Sequence, residues 1–104
     1  MQGSYQDLGP QEFKNGFEGS ASAVIIDVRT PAELAEGSID GHVMMNIMDP
    51  SFPQKLQELN KDVPYYVYCR SGNRSGQACR YMASLGFKEL YNLQGGIIAW
   101  NQTF

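Results

Sequence analysis

The chain has 104 residues, 42% of them hydrophobic and 18% charged, with a net charge of −3. This profile fits one folded domain over residues 1–104 and excludes a disordered or fibrous chain. The acidic balance offers no bulk attraction to nucleic acid or an anionic membrane, so any anion site must be local.

The opening "MQGSYQDLGPQEF" lacks the cationic and apolar regions of a secretory signal, and no apolar run approaches a membrane span. A cytoplasmic setting with reduced thiols is expected. The two cysteines, Cys69 and Cys79, are too few for a disulfide scaffold and form no CxxC.

In chain order, "SYQDL" reads as an opening strand and "PQEFKNG" as a helix. "AVIIDV" (Ala23–Val28) is a near-continuous β-branched run, as a strand buried on both faces requires. In "TPAELAEG", Thr30 suits an N-cap, Pro31 the first helical position, Glu33 the capping-box position and Gly37 the end. Asp27, Arg29 and Glu33 read as a salt bridge or cap tying the strand end to this helix. "HVMMNI" (His42–Ile47) is a weaker strand. Met48–Leu59 holds a helix with Phe52, Leu56 and Leu59 inward, capped by Asp49 or Ser51. "PYYVYC" (Pro64–Cys69) reads as a central strand, in which Tyr65, Tyr66 and Tyr68 serve sheet packing. A helix over Ser75–Leu85 faces inward through Ala78, Met82 and Leu85 and closes at Gly86. "ELYNL" (Glu89–Leu93) is the last strand. Gly95-Gly96 turns the chain into a short helix, Ile97–Asn101. Short apolar runs alternating with helices predict an α/β domain with an open, mostly parallel sheet.

Ligands of such sheets bind beyond the carboxyl ends of the strands. Cys69 stands at one such end. The six residues Cys69-Arg70-Ser71-Gly72-Asn73-Arg74 form the connection into the helix that starts near Ser75. Gly72 permits a left-handed turn, as does Asn73, and that curl points successive N–H groups inward. The next helix adds its unpaired N–H groups, and Arg70 and Arg74 add charge. A thiol near 8.5 falls to roughly 3.5–7.5 in such surroundings. The bland alternative is that Cys69 is a small buried hydrophobe. Ser75 serves as a cap, a donor to sulfur, or both. The sole histidine, His42, pairs with Cys69 only if the fold brings them together. Cys79, ten residues on, reads as buried, and Met44, Met45, Met48 and Met82 read as core fillers.

Three segments carry a resemblance to the rhodanese-type sulfurtransferase family. "IIDVRTPAELAEGSIDG" (Ile25–Gly41) resembles its Asp-Val-Arg-x-x-x-Glu segment and the glycine-rich stretch after it. "VYCRSGNRSGQACRYMASLGF" (Val67–Phe87) resembles its active-site strand, loop and helix, and "ELYNLQGGIIAW" (Glu89–Trp100) its closing Gly-Gly-x-x-x-Trp segment. The chain departs at Ser38, where the family often has histidine, and at Gly41-His42-Val43-Met44, where it often reads Gly-Ala-x-Asn. The resemblance implies a five-stranded parallel sheet with helices on both faces. It implies that Cys69 carries sulfur as a persulfide in a cradle of the Arg70–Ser75 amides. The donor would be a small anion such as thiosulfate. The acceptor would be a thiophile such as cyanide, a thiol or a relay protein, and no metal or organic cofactor would be needed. A Cys-x4-Arg loop (Cys69 to Arg74) suits one sulfur atom, whereas cysteine phosphatases of similar fold use Cys-x5-Arg. Phosphatase or arsenate reductase activity is thus the lesser alternative, beside a sulfur-relay module slow on thiosulfate.

Overall fold

The computed structural model describes residues 4–104. Its strands are β1 (Gln6–Leu8), β2 (Val24–Asp27), β3 (Val43–Met44), β4 (Pro64–Tyr68) and β5 (Glu89–Leu93). They form one open sheet in the order β1-β5-β4-β2-β3, every pair parallel. Parallel neighbours need crossovers; the helices α1 (Pro10–Glu18), α2 (Phe52–Gln57) and α3 (Asn73–Ser84) lie on them, and α4 (Gly96–Thr103) follows the last strand. None of these is long and apolar enough to cross a membrane.

The two-residue repeat of β4 sorts the core into two layers. Tyr65, Val67 and Cys69 face one side, with Phe52 and Leu56 of α2 and Ala78, Cys79 and Met82 of α3. Tyr66 and Tyr68 face the other, with Phe13 of α1 and Ile97 of α4. Helices therefore cover both faces. The same alternation aims Cys69 at the start of α3.

Several elements differ from the sequence expectation. Pro31–Glu36 is a 3-10 helix rather than an α-helix. β3 spans only two residues, since Val43 at the sheet edge is exposed and Met45 already turns into the core. α2 begins at Phe52 because Asp49 closes a turn ahead of it, accepting the Ser51 N–H and O–H. α3 starts two residues early, at Asn73, with Gly72 left-handed at φ 99° and Asn73 helical. Its buried face adds Cys79 and Ala83 to Ala78 and Met82, and Leu85 is only partly buried. α1 and α4 run longer than expected.

Candidate active site

Cys69 follows the last residue of β4 and is 1% exposed, with Val67 and Cys79 in the same packed layer. Its sulfur is nonetheless surrounded by donors. The Gly72 N–H reaches Sγ at 3.1 Å and the Ser75 Oγ lies at 3.3 Å. Burial pushes the thiol pKa up. The Ser75 hydroxyl and the N–H groups of Ser75, Gly72 and Ser71 push it down and prevail, so Cys69 lies below its ordinary value. The chain curls here because Gly72 is left-handed; a Cβ there would stand 3.0 Å from the Leu93 carbonyl.

The loop is also held from behind. The first N–H groups of α4 donate to the carbonyls that open it: Ile97 to Cys69 at 2.9 Å and Ile98 to Arg70 at 3.3 Å. Those carbonyls are thereby turned away from the sulfur. Gly96 makes the approach possible. With φ +60°, it sits where a Cβ would be 2.2 Å from the Arg70 oxygen and 2.6 Å from that of Cys69.

The two arginines occupy a different situation from the one expected. Arg74 is engaged by both carboxylate oxygens of Glu33, each at 2.7 Å. Arg70 pairs with Glu36 at 3.0 Å on the surface. Neither charge is free; the leading causes of the Cys69 acidity are hydrogen bonds, and Arg74 adds a smaller coulombic attraction. The Arg74 bond holds the Glu33 carboxyl at about 2, below the usual carboxylate range. Glu33 also accepts from the Thr30 N–H and O–H, so it is both the expected cap and a clamp on the loop.

Glu33 is positioned by a buried pair. Arg29 and Asp27 are fully buried and bonded at 2.7 Å, and Arg29 donates onward to the carbonyls of Glu33 and Gly37. The 3-10 helix is thus lashed to the end of β2. Tyr68, on the opposite face from Cys69, accepts the Ile39 N–H at 3.0 Å and packs against Arg29. His42 is engaged elsewhere: its Nδ1 bonds the Ile39 carbonyl at 2.8 Å, and among the described residues no hydrogen bond joins it to Cys69. The sulfur has no imidazole base.

Of the expected site residues, the structure brings Cys69, Ser71, Gly72 and Ser75 together. Ser75 is fully buried within the first turn of α3; its hydroxyl lies between the sulfur and Asn92 Oδ1 and makes no cap at the helix end. Asn73 is exposed and opens α3, Arg70 is paired with Glu36, and Arg74, though within coulombic reach of Cys69, is held by Glu33. The sequence reading missed Asn92, which bonds Ser75, and the backbone of α4. A polar residue at an inward position of a buried strand was the available signal for Asn92. Cys79 is buried, and burial pushes its thiol up to about 12. A cavity of about 220 Å³ beside Tyr5 and Glu89 lies at the amino ends of β1 and β5 and includes none of these residues.

The rhodanese-like domain family model matches residues 9–103, and the chain belongs to that family. A sulfurtransferase of Allochromatium vinosum is 43% identical over 94 residues, covering 90% of this chain and 86% of that protein. The thiosulfate sulfurtransferase GlpE of Stutzerimonas stutzeri is 35% identical over 85 residues, covering 82% of this chain and 76% of that one. The crystal structure of a rhodanese-like domain protein from Staphylococcus aureus superposes with a TM-score of 0.78 at 32% identity, covering 91% of this chain and 90% of that one.

Proposed function

We propose that residues 1–104 act as one sulfur-carrying domain, in which Cys69 takes sulfur from thiosulfate or a similar donor and passes it to a thiophilic acceptor. One observation carries this reading: a buried cysteine whose sulfur accepts the Gly72 N–H at 3.1 Å and faces the Ser75 hydroxyl. The names of the relatives support the sulfur chemistry.

In the first half-reaction the Cys69 thiolate attacks the outer sulfur of thiosulfate. A new S–S bond forms, the old one breaks, and sulfite leaves with the electron pair. The persulfide's terminal sulfur then bears the negative charge among the amides of Ser71, Gly72 and Ser75. In the second half-reaction a cyanide, thiolate or protein cysteine attacks that outer sulfur, and Cys69 leaves as thiolate. Donors fixed before reaction stabilise the charge in both steps without reorganising. The scheme is ping-pong.

A second reading, a relay module that receives sulfur from a protein persulfide, is favoured by one feature. Glu33 and Glu36 hold both loop arginines, which weakens the attraction of the loop for a free dianion. Incubation with thiosulfate followed by intact-mass measurement tests the main reading. It expects Cys69 to gain the mass of one sulfur, lost again on adding cyanide. A gain only from a persulfide donor selects the relay, and no gain from either donor contradicts both.

A further inference from the structure

Asn92 is a buried amide in an apolar strand. β5 alternates, so Leu90 and Asn92 face α3 while Tyr91 and Leu93 face α1 and α4. A buried amide is tolerated only when its polar atoms are bonded. Here Nδ2 donates to Asp7 Oδ1 at 2.8 Å and to the Gly72 carbonyl at 3.2 Å. Both partners only accept, so the amide has one allowed orientation and Oδ1 is directed at Ser75. The Ser75 hydroxyl bonds this Oδ1 and also lies 3.3 Å from Cys69 Sγ. A hydroxyl has one proton and can donate it in one direction at a time.

We propose that Asn92 is a positioning residue that draws the Ser75 proton away from the sulfur while Cys69 is neutral, and so sets how readily the thiol ionises. In the neutral state the Cys69 S–H donates to Ser75 Oγ and the Ser75 O–H donates to Asn92. On ionisation the thiol proton goes to solvent, the Ser75 O–H turns to Sγ, and Asn92 Oδ1 loses its donor. That loss opposes the thiolate. It leaves the sulfur a better attacking group, because nucleophilicity falls as thiol acidity rises. The other groups facing the sulfur are Arg74 and Cys79 of α3, with Asp7 of β1 behind Asn92. Arg74 is held by Glu33, Cys79 stays neutral through burial, and at the end of β2 Asp27 is paired with Arg29, which also bonds the Glu33 and Gly37 carbonyls. α4 presents no charged residue.

The inference rests on the sulfur-carrier reading for its purpose, but its test reads the thiol alone. Iodoacetamide alkylation is followed across pH, with the Cys69 peptide scored by mass spectrometry. Ser75→Ala is expected to raise the midpoint. Asn92→Leu is expected to lower it, with alkylation below the midpoint about three- to tenfold faster, the equivalent of one neutral hydrogen bond. In the double variant Asn92→Leu is expected to have no further effect. A midpoint unmoved or raised by Asn92→Leu, or lowered equally without Ser75, overturns the proposal. If Asn92→Leu does not fold, the Asn92 13Cγ signal of the unsubstituted protein decides. It should move with the Cys69 titration and stay flat in Ser75→Ala; a flat signal in the unsubstituted protein overturns it. Expected midpoints without any sulfur gain from thiosulfate or a persulfide would contradict the carrier reading and leave this role standing.

Discussion

Cys69 and Cys79 are ten residues apart, pack in the same layer and are 1% and 0% exposed, yet their thiols behave oppositely. Cys79 has only burial and the negative charges of Asp7 and Cys69 around it, and its thiol rises to about 12. Cys69 is buried to a similar degree, but Ser75 and three backbone N–H groups bring it below its ordinary value. Burial by itself raises a thiol's pKa; oriented donors around a buried sulfur lower it toward the thiolate.

The comparison is broken most completely by Cys69→Ser. Sulfur transfer to cyanide should vanish with the fold intact by circular dichroism, whereas Cys79→Ser should retain it; residual turnover in Cys69→Ser would remove the nucleophile from the account. Next in size is Gly96→Ala, which forces a Cβ onto the Cys69 and Arg70 carbonyls at a left-handed position. It should lower unfolding free energy by about 2–4 kcal/mol in urea titration and slow Cys69 alkylation. Glu33→Gln breaks the partly buried bond to Arg74 and should cost about 1.5–3 kcal/mol, read in the same titration.

Glu33 also predicts a pH dependence. Its folded value is depressed from 4.5 to about 2, so its contribution is fully present above 4.5 and is lost as pH falls toward 2. Glu33→Gln should flatten this part of the stability profile; an unchanged acid slope would contradict the clamp. Smaller again is Ser75→Ala, which removes one donor from sulfur and should slow Cys69 alkylation about tenfold at a pH below the midpoint.

The same contrast explains what could be read in advance. The β4–loop–α3 unit was legible because its signals are local: an apolar strand, a cysteine at its end, a left-handed Gly72 and a helix. The sheet and its two helical layers were legible through the alternation of apolar runs and the family resemblance. The partners of the loop were not. Glu33 and Arg74 are 41 residues apart, Glu36 and Arg70 are 34, and Asp7 and Asn92 are 85. No periodicity connects such pairs; only the strand order β1-β5-β4-β2-β3 brings them together. The charges of Arg70 and Arg74 were visible in the sequence, while the carboxylates that occupy them were not. The 3-10 form of Pro31–Glu36 was hidden too. The Arg29 bonds to the Glu33 and Gly37 carbonyls tie that segment down by tertiary contacts that local propensity does not report.

The most direct measurement is the pH dependence of alkylation at both cysteines of the unsubstituted protein, resolved peptide by peptide. The account predicts a Cys69 midpoint below the ordinary thiol value and a Cys79 peptide left unmodified across the same range. A Cys69 midpoint at or above the ordinary value, or equal reaction at both sites, would contradict it.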